Sequence, residues 1–295
     1  MSLQTPSASK MSDLRIATRR SRLALAQAGE VARLLEAAFP GLEVSLDAVT
    51  TTGDRDRTTS VTALTEVGAF VRAVQERVLD GQADLAVHSC KDLPVDGPAG
   101  LVAFYPEREA PWDVLCGHDL ECLPTGARVG TGSPRRTAQL RALRPDVEVS
   151  DIRGNVDTRL EKMHAGEFDA VVLAEAGLRR LGREDEIRHR FSLEEMVPAP
   201  GQAVLAVEAR ADSPAVRLLG AIEDGDTRKA VEAERALLAG SRAGCRSALG
   251  ALGVVEDSLI RLTGFVEDGD GPRSGRSEAA RADEAASRLQ SVLGL

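Results

Sequence analysis

The chain reads as an α/β protein of three domains, and three features of the sequence predict this. Short apolar runs at 14–18 and 83–87 alternate with stretches whose apolar residues recur at helical spacing, which is the pattern of a largely parallel sheet covered by helices. The same alternation starts again near residue 110, so two lobes of similar build are expected. A length of 295 residues leaves room for a third unit beyond them.

The elements follow in order. A strand at 14–18 leads into a helix over about 21–39, which Pro40-Gly41 ends, and 42–49 alternates like a strand. Residues 50–65 are polar and rich in Thr and charge, so a mobile loop is expected there. A helix over 70–79 and a strand at 85–87 complete the first set. The second set has strands at 114–115, 128–131, 147–152 and 170–173, with helices over about 134–143 and 156–164. Residues 198–202 read as a hinge, and 203–208 as a strand returning to the first sheet. From about Asp226 a third unit holds a helix at 227–239, strands at 249–255 and 259–266, and a terminal helix over 277–293. Domain boundaries are therefore expected at 13–108 plus 203–223, at 109–202 and at 224–295.

Composition narrows the function. There are 37 Lys and Arg against 46 Asp and Glu, a net charge of −9, so the surface as a whole should not attract polyanions. Aromatic content of 3% argues against a base-stacking nucleic-acid platform. No apolar run is long enough for a membrane span. The four cysteines, Cys90, Cys116, Cys122 and Cys245, form no CxxC pair and no metal-ligand spacing with the four histidines, so neither a metal nor a disulfide framework is expected. Residues 1–10 lack a signal-peptide core, which gives the expectation of a cytoplasmic protein starting naturally at Met11.

Chemistry-bearing residues cluster at strand ends. The strand at 83–87 closes in His88-Ser89-Cys90-Lys91-Asp92-Leu93-Pro94, which places a cation beside a carboxylate where open α/β sheets bind ligands. In Gly130-Thr131-Gly132-Ser133-Pro134-Arg135-Arg136, Ser133 suits a helix N-cap and Pro134 the first helical position. Two arginines follow, with planar forks for carboxylates, although a capped helix with solvated arginines would read the same way. Arg153-Gly154-Asn155-Val156-Asp157-Thr158-Arg159 repeats that logic. So do Thr18-Arg19-Arg20-Ser21 and the Arg179-Arg180 pair. Together these turns predict a cleft for a ligand with many carboxylates. Phosphate is less favoured, since there is no GxxxxGK[ST] and no complete dinucleotide fingerprint. Gly244-Cys245-Arg246 offers a thiol between Arg242 and Arg246, suited to nucleophilic attack, to thioether attachment or to quiet burial.

Taken together, these stretches resemble the porphobilinogen deaminase (hydroxymethylbilane synthase) family from about Leu14 to the terminal helix. The most specific parts are Arg15-Ile16-Ala17-Thr18-Arg19, the stretch 88–94, Arg153-Gly154-Asn155 with Thr158-Arg159, the stretch 176–182, and Ala243-Gly244-Cys245. Several positions depart from the family pattern. Thr65-Glu66-Val67-Gly68-Ala69 replaces Gly-Gly-Lys-Gly, Gly132 replaces a serine, Ala203 replaces the last Gly of Gly-Gln-Gly, and Arg246-Ser247-Ala248 replaces Gln-Val-Pro.

The resemblance implies three α/β domains, the first two like periplasmic binding proteins with mixed sheets and a cleft between them. It implies a transferase that condenses four porphobilinogen molecules head to tail with loss of ammonia and releases hydroxymethylbilane by hydrolysis. A dipyrromethane cofactor, bound by a thioether to Cys245, would prime the chain. Asp92 would assist ammonia loss and stabilise the azafulvenium cation. Lys91, Asp92, Ser133, Arg135 and Arg136 would hold the cofactor, and Arg19, Ser21, Arg153, Arg159 and Arg180 would hold substrate. Porphobilinogen is the implied partner of a monomer that needs neither nucleic acid nor membrane. The competing reading is a two-lobed cytoplasmic binding protein for a small polycarboxylate, motivated by the repeated strand–helix pattern.

Overall fold

The computed structural model describes residues 13–49, 63–241 and 248–295, without the side chains of 63–67 and 69. The first sheet runs β2-β1-β3-β10-β4, built from β1 (Asp13–Arg19), β2 (Glu43–Val49), β3 (Leu85–Ser89), β4 (Leu101–Phe104) and β10 (Leu205–Arg210). β1 is parallel to β2 and β3, and β10 is antiparallel to β3 and β4. β3 is buried along nearly its whole length because helices cover both faces of the sheet. On one face α1 (Arg22–Ala38) sets Ala28, Val31 and Leu35 against Leu14, Ile16 and Leu85. On the other, α2 (Ala63–Leu79) sets Val74 and Val78 against Ala17, Val49 and Ala86.

The second sheet repeats this plan. Its order is β7-β6-β8-β5-β9, from β5 (Asp113–Cys116), β6 (Arg128–Gly130), β7 (Glu148–Ser150), β8 (Ala170–Ala174) and β9 (Ile187–Arg190). β6 is parallel to β7 and β8, and β5 is antiparallel to β8 and β9. Each sheet thus has a parallel core of three strands and one antiparallel strand that the chain supplies as it crosses between lobes. β5 ends the outward crossing and β10 the return. The helices α3 (Pro134–Leu143), α4 (Val156–His164) and α5 (Glu175–Arg180) begin at the carboxyl ends of β6, β7 and β8. The two edge strands β4 and β9 were not expected from the sequence; both are four residues long and carry no apolar alternation of their own.

The third sheet, β11 (Ala248–Glu256), β12 (Leu259–Asp268) and β13 (Gly271–Ala279), is antiparallel. It packs under α7 (Gly225–Gly240) and α8 (Ala282–Leu293), with Leu237, Leu262, Val266 and Leu289 at its core. A short helix, α6 (Ala215–Leu219), precedes this unit. The expected terminal helix over 277–293 is corrected here, because residues to 279 form β13 and the helix starts at Ala282. β13 hides from a sequence reading because its inward positions are small or polar. A Cβ on Gly275 would stand 2.6 Å from Val292 Cγ1, so the close approach of α8 leaves no room for an apolar side chain. The expected loop at 50–65 falls outside the described residues as far as residue 62, and α2 starts at Ala63.

Glu234 on α7, fully buried, joins this unit to both crossings. It takes two hydrogen bonds from Arg108 (2.7 and 2.9 Å), one from the Gly201 N–H (2.6 Å) and one from the Gly253 N–H (2.7 Å).

Candidate functional site

The carboxyl ends of β1, β3, β6 and β8 face one another across the lobes, and a cavity of about 110 Å3 lies between them. The first lobe contributes Gln27, Ser89 and Lys91, the second Arg136, Arg159 and Arg180, and the return crossing Ala203. Four cations therefore converge, and among the described residues no carboxylate lines the cavity.

Each cation is positioned differently. Lys91 lies in a single 3-10 turn directly after β3, where its Nζ donates to Gln202 Oε1 at 3.3 Å. Its side chain touches the water of the cleft while protein crowds it from both lobes. That crowding, then the charge of Arg136, pushes its pKa down to about 8. Arg136 stands in the first turn of α3, which Ser133 caps, and donates to Asp113 and to the Val172 carbonyl (2.8 Å). Among the described residues, Arg159 donates only to the backbone carbonyl of Gly154, at 2.9 Å. Burial, then the neighbouring Arg136, lowers its pKa. Arg180, at the end of α5, reaches Glu30 on α1 at 2.8 Å.

Asp113 organises the second lobe's side. Its fully buried carboxylate accepts from Arg135 at 2.7 Å, from Arg136 Nε at 2.9 Å and from Gln202 at 3.1 Å. Burial alone would raise its pKa, but the charges of Arg135 and then Arg136 outweigh burial and hold it well below the ordinary carboxylate range.

The remaining predicted residues lie around or behind this cavity. Arg135 does not line it; its guanidinium is buried between Asp113 and the Val197 carbonyl (2.7 Å), where it anchors Asp113. Ser21 and Ser133 cap α1 and α3, accepting from Ala24 N–H at 3.2 Å and Arg136 N–H at 3.4 Å. Arg19 is half-buried and stacks over the Phe70 ring at 4.2 Å. Arg153 is exposed and paired with Asp151 at 2.8 Å. Asp92 follows Lys91 in the same turn, half-buried, with no ion pair to any other described residue. Cys245 lies outside the described residues. Of the other thiols, Cys90 and Cys116 are buried and pushed up to about 12, so neither is a ready nucleophile.

The sequence reading missed Gln27, Ser89, Asp113 and Gln202 as site residues. Gln27 carried a signal: a polar residue on the buried face of α1, between Ala24 and Val31, that donates to Ser89 Oγ at 2.8 Å.

The family model described as "Porphobilinogen deaminase, dipyromethane cofactor binding domain" matches residues 14–217, well over half of the chain. This chain belongs to the porphobilinogen deaminase family. The porphobilinogen deaminase of Roseiflexus castenholzii is 47% identical over 248 residues, covering 82% of each chain. That of Acidothermus cellulolyticus is 48% identical over 257 residues, covering 84% of this chain and 77% of the relative. Among solved structures, the methionine binding protein MetQ overlays 74% of this chain and 93% of its own at a TM-score of 0.45 and 12% identity. The two-lobed, periplasmic-binding-protein-like plan stands on the strand ladders, not on that likeness. Dipyrromethane is the cofactor of the porphobilinogen deaminase family, and the donor set fits it, since four cations without a lining carboxylate suit a group that carries several carboxylates.

Proposed function

We propose that this chain condenses four porphobilinogen molecules head to tail, with loss of ammonia at each addition, and releases hydroxymethylbilane by hydrolysis. The observation that carries the reading is the convergence of Lys91, Arg136, Arg159 and Arg180 on one small cavity, one residue from the Asp92 carboxylate. Porphobilinogen bears an acetate and a propionate, so every added ring brings two anions that these cations can hold. The dipyrromethane group, attached in this reading to Cys245, supplies the pyrrole carbon onto which the first substrate is added.

The chain's own residues do the rest. Asp92 is unpaired among the described residues, and a fixed carboxylate there steadies the cation left on the substrate when ammonia departs. Lys91, Arg136 and Arg159 orient carboxylates, with Arg135 and Asp113 holding Arg136 in place. Arg180 binds from the far wall, and Arg19, Ser21 and Arg153 act at the rim, where lobe movement and ligand length decide what they meet. The division at 13–108 plus 203–223, 109–202 and 224–295 assigns the cation cluster to the first two units and the thiol to the third. The reading keeps the protein a cytoplasmic monomer, independent of nucleic acid; no described helix is long and apolar enough to cross a membrane. Family membership disfavours the alternative of a simple binding protein.

Purified protein given porphobilinogen should consume it and yield uroporphyrin after spontaneous cyclisation and oxidation. Its intact mass should exceed the polypeptide by the two-ring group, and Cys245→Ser should remove that excess. A protein that carries the group but consumes no porphobilinogen would overturn the reading.

A further inference from the structure

We infer that Glu30 is a resident counter-anion for the cavity, holding Arg180 until a substrate carboxylate competes for it. This rests on the proposed function, since it takes the cavity to be where substrate carboxylates bind.

The four cations differ in what neutralises them. Lys91 meets a neutral amide oxygen, and Arg159 meets a backbone carbonyl. Arg136 shares the single charge of Asp113 with Arg135. Among the described residues, Arg180 alone of the four has a carboxylate to itself, and that carboxylate comes from the opposite lobe. Its Nε donates to Glu30 Oε2 at 2.8 Å, and a second nitrogen reaches the Ala203 carbonyl at 3.4 Å. The Arg180 side chain is 6% exposed and that of Glu30 23% exposed, so the pair is shielded from bulk water but open on the Glu30 side. Glu30 stands one helical turn from Gln27, which lines the cavity, so the pair sits against the ligand space without filling it.

A ligand carboxylate approaching Arg180 must share or displace Glu30, and either costs affinity. A surface latch between the lobes is the simpler reading, and Arg22–Asp157 supplies such a latch on the same face, with Arg22 69% exposed. Glu30–Arg180 differs because its cation lines the cavity. Its effect is to keep a strongly cationic site from binding polycarboxylates too tightly to release them.

Glu30→Gln is the test, because it keeps an acceptor oxygen for Arg180 and removes only the charge. The expected result is a KM for porphobilinogen about fivefold lower than wild type, with kcat unchanged within about twofold, as removing one nearby charge in a half-wet cleft predicts. Glu30→Asp should restore the wild-type KM, and in an Arg180→Met background Glu30→Gln should have no effect on KM. Thermal melting read alongside separates a latch. An unchanged or higher KM with a lower melting temperature makes Glu30 a structural staple and overturns the inference. Wild-type protein that consumes no porphobilinogen overturns the proposed function itself, and the inference with it.

Discussion

Gln202 donates its side-chain amide to Asp113 at 3.1 Å while its amide oxygen accepts from Lys91 at 3.3 Å. One hinge residue therefore touches both the cation of the first lobe and the carboxylate that organises the arginines of the second. A further bond from its nitrogen to the Pro111 carbonyl at 2.8 Å fixes the amide's orientation, since both acceptors lie on the nitrogen side. The arrangement positions Lys91 without neutralising it, because a neutral oxygen orients an ammonium and leaves its charge for a ligand. Asp113 does neutralise, but for two guanidiniums at once, so the pair keeps a net positive charge.

Replacing Asp113 should expose that dependence. Asp113→Asn leaves Arg135 and Arg136 buried without a counter-charge, and an unpaired buried ion costs about 3–5 kcal/mol. Urea unfolding should show a loss of that order at neutral pH. The Asp113 pKa lies below its ordinary 3.8 in the folded chain, so its stabilisation is complete above that value and fades as pH drops beneath it. The gap between wild type and variant should accordingly narrow in acid below about pH 4. A gap independent of pH would mean that the carboxylate's charge is not what holds the arginines.

Lys91 sets an alkaline limit. With its pKa pushed down to about 8, the cation is lost as pH rises through that value, and anion binding should weaken with it. The KM for porphobilinogen should climb above pH 8, by up to about tenfold per unit if ligand binding needs the proton. A Lys91→Arg variant, which stays charged throughout that range, should show a flat KM between pH 8 and 9.5. Comparing the two proteins removes the titration of the substrate's own amine. Parallel profiles would relieve Lys91 of its role in carboxylate binding.

Much of this site was legible because strand ends announce themselves. The apolar run before His88 and the capped turn at Ser133 place Lys91 and Arg136 where parallel strands open on a cleft, and both line the cavity. What a sequence cannot show is which of two adjacent arginines faces inward. Arg135 and Arg136 look alike in the sequence, yet successive positions on α3 point about 100° apart, so one lines the cavity and the other is buried behind Asp113. Asp113 itself reads only as a polar residue opening the strand Val114-Leu115-Cys116. Its meaning depends on Arg135, Arg136 and Gln202, which lie 22 to 89 residues away. β13 failed for a different reason: its inward face, closely approached by the helix packed on it, carries only small or polar residues.

Glu234 should govern how firmly the third sheet is held to the crossings. Its carboxylate satisfies Arg108 and the N–H groups of Gly201 and Gly253 together. Glu234→Ala leaves both N–H groups without that acceptor and Arg108 without a counter-charge, with only the Gly253 carbonyl (3.2 Å) to accept from it, for an expected loss of about 3–5 kcal/mol. Hydrogen exchange offers the sharper readout, because the amides of Gly201 and Gly253 should lose protection well before the core of β3 does. Equal loss across all three would show global destabilisation and not a detached joint.

Ala203 occupies a conformation that glycine normally takes, with φ at +68°, at a position where the family carries glycine. A left-handed backbone costs a residue with a Cβ about 1–2 kcal/mol. Glycine would remove that strain while losing about 0.5–1 kcal/mol through its freer unfolded chain. The balance favours Ala203→Gly by about 0.5–1 kcal/mol, which should raise the urea midpoint without changing its slope. The strain is kept in place by the packing of a buried hinge and by Arg180, whose guanidinium reaches the Ala203 carbonyl. In an Arg180→Met background that hold is gone, so the relative gain from Ala203→Gly should shrink as the hinge relaxes on its own. If the midpoint instead falls in the single variant, the Cβ contributes more by packing against the cavity wall than it costs in backbone strain.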